Sequence, residues 1–167
     1  MAKLLRWVLP ILLACGPAAA FEVDKFRSGM TEAEVMDIAQ ADGLQRRTED
    51  NDVTLYRDGK RQYAFEFCDD RLNAFGKYYE PTLDTLMTLV FENSKLYMEP
   101  EARSEVEKDG TGKKSLIFEF PLWERDITTV RLVTAPGVQA LMLSKFDETI
   151  CGPKINPSLY RRTRHSG

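Results

Sequence analysis

The chain has 167 residues, with 23 Lys and Arg against 26 Asp and Glu and a formal charge of −3. That acidic balance, without long single-sign blocks, excludes the basic stripe that nucleic-acid phosphates call for. Its single histidine, His165 in a basic C-terminal run, leaves catalysis and metal binding by imidazole little to work with.

The N-terminus carries Lys3 and Arg6, then the apolar run Trp7 to Ala14, then Ala18-Ala19-Ala20 before the first acidic residue, Glu22. A charged start, an apolar middle and small residues at a cleavage point read as a secretory signal over residues 1–20. The run is far short of the roughly 20 apolar residues that span a bilayer, and Pro10 and Gly16 interrupt it. Cleavage before Phe21 and release to the periplasm or the exterior is the expected processing. The alternative is a lipobox at Leu12-Leu13-Ala14-Cys15, which would leave the protein lipid-anchored at Cys15. Without Lys3 and Arg6 the remainder holds 21 basic against 26 acidic residues, a charge of −5. Either route leaves Cys68 and Cys151, and an even pair in an oxidising compartment favours a disulfide over two buried thiols. Residues 21–152 read as a single domain, long enough for a core.

The clearest local signal in that domain is Met30-Thr31-Glu32-Ala33-Glu34-Val35. Thr31 as N-cap and Glu34 three residues later make a capping box, with Met30 and Val35 placed as a hydrophobic staple. Ile38 and Ala39 extend the apolar face and Gly43 ends the element, so a helix is predicted over Glu32 to Asp42. Val53 to Tyr56, the turn pair Asp58-Gly59, and Gln62 to Phe67 with Tyr63, Phe65 and Phe67 on one face predict a hairpin. A turn at Asp69-Asp70-Arg71 leads to Leu72 to Tyr79 and completes a three-stranded meander.

After Pro81-Thr82, Leu83, Leu86, Met87, Val90 and Phe91 recur at helical spacing and predict a core-facing helix that ends near Tyr97. The last third reads as strands: Ala102 to Glu107, Leu116 to Phe120, Ile127 to Thr134 and, past Pro136-Gly137, Val138 to Phe146. Residues 153–167, with Pro153, Pro157 and Arg161-Arg162-Thr163-Arg164-His165, read as a disordered tail. The expected fold is therefore α+β. An antiparallel sheet of meanders carries two helices on one face, in an order that suggests a tandem helix-plus-meander repeat.

The stretch Phe26 to Val35, with Gly29-Met30-Thr31 and the capped helix behind it, resembles the start of the SmpA/OmlA (BamE) family of small bacterial envelope proteins. That resemblance implies a fold of two helices on a three-stranded meander, of which tandem versions occur in β-lactamase inhibitory proteins, and a protein-binding role. Family members place their two helices in succession, whereas here a meander separates them.

The search for chemistry finds turns in place of sites. Glu49 to Asp52 lacks the Gly and closing Glu of a calcium loop, and Gly110-Thr111-Gly112-Lys113-Lys114 lacks the spacing of a phosphate loop. Glu66, Asp69, Asp70 and Glu119 lie on or beside strands, and paired carboxylates are the equipment of one class of hydrolase. Among 26 acidic residues, however, some such pair always arises. No catalytic, cofactor or metal residue is therefore assigned. The remaining lead is aromatic: Phe75, Tyr78 and Tyr79 crowd one strand end with Lys77, and Trp123 sits with Arg125 in a turn. Tyr, Trp and Arg are the residues interfaces favour. The expected function is an exported, non-enzymatic binding or assembly module of the bacterial envelope whose partner is another envelope or secreted protein. The alternatives are an inhibitor of a secreted hydrolase that presents Phe120 to Arg125, and a carboxylate-based hydrolase.

Overall fold

The computed structural model describes residues 20–49, 52–97, 99–107, 111–120 and 126–151. Two short strands, β1 (Glu22–Val23) and β2 (Phe26–Arg27), precede α1 (Glu32–Ala41). Four strands follow: β3 (Gln45–Glu49), β4 (Asp52–Arg57), β5 (Lys60–Cys68) and β6 (Arg71–Tyr79). Then come α2 (Leu83–Leu96), β7 (Glu101–Val106), β8 (Lys114–Phe120), β9 (Asp126–Ala135) and β10 (Val138–Asp147). The class is α+β. Eight strands form one antiparallel sheet in the order β3-β4-β5-β6-β10-β9-β8-β7, and β1 pairs with β2 in a separate hairpin.

The start of α1 shows why its sequence is so legible. Thr31 Oγ1 accepts from the Glu34 N–H at 3.2 Å, and the Glu34 carboxylate accepts from the Thr31 N–H at 2.8 Å. Two otherwise orphaned donors are thus satisfied by one reciprocal pair. The same bonds hold the Glu34 carboxyl below its usual range. Gly29 takes a φ of +84°, open to glycine at little cost. Its N–H donates to the Leu72 carbonyl at 2.9 Å, while the Leu72 N–H donates to the Met30 carbonyl at 2.7 Å. Asp70 accepts from the Glu32 N–H at 3.1 Å, and Arg71 donates to the Gly29 carbonyl at 2.9 Å. The helix start is therefore fastened to the β5–β6 turn.

Both predicted turns use the mirror-image geometry that suits strand twist. Asp58 and Gly59 have φ of 51° and 75°, and Asp69 and Asp70 have 49° and 57°. The β5–β6 register shifts between Glu66 and Phe67, so that Glu66 opposes Ala74 while Phe67 opposes Leu72. Asn73 is the extra residue of this bulge, and it lets Leu72 and Phe75, three apart, join one core. That core contains Phe21, Phe26, Val35, Ala39, Val53, Leu55, Phe65, Leu72 and Phe75. The Phe26 ring meets Phe65 edge-on at 4.8 Å and Tyr63 at 5.2 Å. A second core joins Leu86 of α2 to Phe120, Val130, Leu141 and Leu143.

Several boundaries differ from expectation by a residue or two, and three differences are physical. The first meander has four strands, because Gln45–Glu49, which has no apolar alternation, still pairs along the backbone of β4. The N-terminal hairpin was not foreseen either; it is built from Phe21, Val23 and Phe26 packed on the first core. Third, the α2 stripe does not face inward as a whole. Leu86 is buried and Leu89, Val90 and Tyr97 pack on the second core, but Leu83, Met87 and Phe91 are exposed. The helix is rotated so that Asn93 takes an inward position, with its amide satisfied by the Leu89 carbonyl at 2.7 Å.

Truncating Phe65 to alanine is expected to cost about 3–5 kcal/mol, and Thr31→Ala about 1 kcal/mol, as read from shifts of a urea unfolding midpoint. Equal effects from the two variants would contradict this division between core and cap.

Candidate interaction surface

The two ends of the sheet differ in chemistry. At the β3 end the exposed residues Gln45, Arg46, Arg47 and Thr48 are all polar. Arg46 pairs with Glu32 of α1 at 2.6 Å, and the Arg47 guanidinium lies 4.5 Å from the centre of the Tyr56 ring. At the β7 end, beside exposed polar residues such as Glu101 and Ser104, large apolar residues are exposed as well. Leu83, Met87 and Phe91, one ridge at i, i+4 and i+8 on α2, are 71%, 56% and 61% exposed, and Val106 on β7 is 63% exposed. Leu116 on β8 also remains open to solvent. α2 lies against β8 and β9, next to β7 in the sheet. Opposed strand residues share a face, so Ala102, Ser104 and Val106, opposite Phe118, Leu116 and Lys114, stand on the face that carries Phe120 and α2. The other face of β7 is charged. Arg103 donates to Glu119 at 2.6 Å and to Glu105 at 3.2 Å, and Arg131 bonds Ser115 at 3.0 Å and lies 3.7 Å from Glu105.

Two polar clusters sit at the middle of the sheet. Asp24, in the turn of the N-terminal hairpin at a φ of 54°, accepts from Lys77 at 2.8 Å and from the Tyr63 hydroxyl at 3.0 Å. Partial burial pushes the Asp24 carboxyl upward, but the bonds from Lys77 and Tyr63 and the Lys77 charge outweigh it and hold it below its usual value. Burial likewise pulls Lys77 down, and the bond to Asp24 with neighbouring negative charge raises it overall. Burial first, then the bond to Asp24, raises the Tyr63 phenol. The second cluster centres on Lys145, only 8% exposed, which donates to the Tyr97 hydroxyl at 2.7 Å and to Thr128 Oγ1 at 3.1 Å. Its ammonium also lies 4.9 Å from the Tyr97 ring centre. It anchors the C-terminal end of α2 to β9 and β10.

Cys68 and Cys151 stand at disulfide distance, with Cα atoms 6.1 Å apart and a sequence separation of 83. Asp69 lies beside them, and these three are the one thiol and carboxylate group among the described residues close enough to share a cation. The pairing of the sulfurs leaves no thiolate for that purpose. Of the aromatic residues singled out in the sequence, Phe75 is fully buried in the first core, a position that removes it from any interface. Tyr78 and Tyr79 are half-buried and, being adjacent on β6, point to opposite faces. Tyr79 packs on the second core, and burial raises its phenol. Cys15, Trp123 and Arg125, residues 1–19 and the residues beyond Cys151 lie outside the described residues.

Of the candidate acids, Asp69 and Asp70 are neighbours in the β5–β6 turn, and the others stand apart. Glu119 is held by Arg103, Asp70 caps the start of α1, and Glu66 on β5 is separated from Glu119 on β8 by β6, β10 and β9. Sequence reasoning missed the exposed ridge of α2, since periodicity reports that apolar residues share a flank and not which way the helix is turned. It also missed Asp24 and Lys145, whose partners are distant in the chain. Among the described residues, no helix is long and apolar enough to cross a membrane. Compared with protein-family models, with curated proteins and with solved structures, the chain gives no match.

The central cluster sets a pH dependence. Asp24 is more acidic folded than unfolded, so its contribution is present above the ordinary aspartate value of about 3.9 and is lost as pH falls through the folded value. Lys77 is more basic folded, so its contribution is present below about 10.4 and is lost as pH rises through its folded value. Asp24→Asn should flatten both limbs of a stability-against-pH curve, and unchanged limbs would show that the cluster is energetically silent. Reduction of Cys68–Cys151 should lower stability by about 4 kcal/mol in the chain-entropy account of a long closed loop.

Proposed function

We propose that this chain is an exported, non-enzymatic binding or assembly module of the bacterial cell envelope, which engages another envelope or secreted protein. The observation that carries the reading is the exposed apolar ridge Leu83, Met87 and Phe91 beside Val106 and Leu116. Apolar surface gathered on neighbouring elements marks a place where a protein excludes water with a partner. The polar β3 end indicates that a meander of this kind needs no such surface for its own folding.

Export rests on the charged and apolar N-terminal segment and on the disulfide-distance pair, which suits an oxidising compartment. In this reading residues 1–20 are removed and Phe21 becomes the first residue. Phe21 is buried, with its ring 6.2 Å from that of Phe75, so the N-terminus of the mature chain would be a core anchor. Lipidation at Cys15 is the alternative.

The reading also places both helices on one face of the sheet, as in a tandem helix-plus-meander. Register supports this. Phe75 opposes Lys145, Lys77 opposes Leu143 and Tyr79 opposes Leu141. The positions that serve the α1 core and those that serve the α2 core therefore alternate in phase across β6 and β10. Kinship with the SmpA/OmlA (BamE) family is part of the same proposal. It is supported by Gly29-Met30-Thr31, where Gly29 has a positive φ and Thr31 caps the helix.

Two measurements test this. The unreduced mass of the protein from its native envelope should correspond to a chain beginning at Phe21, lighter by the two hydrogens of the disulfide; an acylated Cys15 would overturn release. A photo-crosslinking residue at Phe91 should give a discrete adduct with another envelope protein, abolished by Met87→Lys, while one at Thr48 gives none. Equal labelling from both ends of the sheet would refute the assignment of the surface.

A further inference from the structure

We propose that the β7 edge docks a second copy of this chain, pairing β7 with β7 about a two-fold axis through Ser104. This inference goes beyond the proposed function, since it requires neither export nor a foreign partner. β7 is the last strand in the sheet, so among the described residues one side of its backbone has no strand partner. Such an edge is a template for another strand.

The residues along β7 decide which strand fits. Antiparallel pairing of β7 with its own copy about Ser104 sets Ala102 opposite Val106, Arg103 opposite Glu105 and Ser104 opposite Ser104. Symmetry makes the Ala102–Val106 and Arg103–Glu105 pairs twice, with the Ser104 pair on the axis, as an isologous contact requires. The charged pairs fall on the face where Arg103 already lies between Glu119 and Glu105, so each guanidinium gains a third carboxylate neighbour. The apolar pairs fall on the other face, the one bearing Leu116, where Val106 is exposed. Opposed charges and opposed apolar side chains each stabilise an antiparallel pair. Moving the axis to Arg103 or to Glu105 sets like charges against each other at the centre. About Ser104 the only like pair is Glu101 against Glu107 at the ends, and Glu107 is already neutralised by Lys113 at 2.7 Å.

The other edge provides the comparison. β3 offers the same kind of backbone, but its exposed residues are polar and bring no apolar area to a contact. Across a β7 pair, by contrast, the exposed ridge of each α2 would flank a shared apolar floor formed by Ala102 and Val106 of both copies. The chain uses the same device internally, where β6 and β10 join its two four-stranded runs by antiparallel pairing.

Light scattering on the purified protein after size-exclusion chromatography should give twice the chain mass. Ser104 is exposed, so Ser104→Lys leaves the folded monomer intact by circular dichroism. It sets two ammonium groups face to face on the axis, and the molar mass should halve. Ser104→Cys should form an interchain disulfide on mild oxidation, whereas Thr48→Cys on the opposite edge should not. A native protein of single-chain mass overturns the proposal, and so does a dimer that survives Ser104→Lys without crosslinking through Ser104→Cys.

Discussion

The antiparallel seam between β6 and β10 is the interaction on which the rest of the molecule depends. It joins two runs of four strands, each preceded by a helix, and it brings together residues more than 60 positions apart, such as Phe75 with Lys145. Its close packing is specific. Gly76 sits opposite Ser144, and a Cβ at Gly76 would lie 2.9 Å from the Met142 sulfur. Both peripheral segments are pinned to this seam by charge. Asp24 of the N-terminal hairpin reaches Lys77 on β6, and Tyr97 at the end of α2 receives Lys145 of β10.

A second point of attachment lies at the turn between β5 and β6. There Leu72 exchanges backbone bonds with Gly29 and Met30, Asp70 satisfies a donor in the first turn of α1, and Cys68 meets Cys151. One short turn thus fastens the start of the first helix and the end of the last strand. Neither could hold its place by local forces alone, because a helix of ten residues is marginal in water and the last strand ends in a turn.

The contrast between the two ends of the sheet has a functional consequence. An edge made of Arg46, Arg47 and Thr48 is polar, with Arg46 paired to Glu32 and Thr48 and Arg47 lying over the Tyr56 ring. An edge bordered by Val106, Leu116 and the outer ridge of α2 leaves apolar area in contact with solvent, and association is the means by which proteins remove such area. Binding of a foreign envelope protein and self-pairing at β7 are two proposals about one end of the molecule. They use different atoms: the first the ridge of α2, the second the backbone and side chains of β7.

Local signals were enough to read the α+β class, both helices, seven of the eight sheet strands and the Cys68–Cys151 pair from the residues. Each rests on neighbours within a few positions: a capping box at Thr31, an Asp-Gly turn at 58 and 59, alternation through Tyr63, Phe65 and Phe67. β3 escaped because a strand of Gln, Arg, Thr and Glu has no apolar period to detect and is placed by its pairing with the backbone of β4. What the sequence by itself determined was where elements begin, end and turn, since capping, φ preference and apolar period act between residues close in the chain. Only the tertiary structure decided the strand order, the burial of Phe75, the bulge at Asn73, the reach of Asp24 and Lys145, and which flank of α2 faces water. Those follow from contacts between distant segments, where the free energy of burying one face is weighed against every alternative packing of the same helix and sheet.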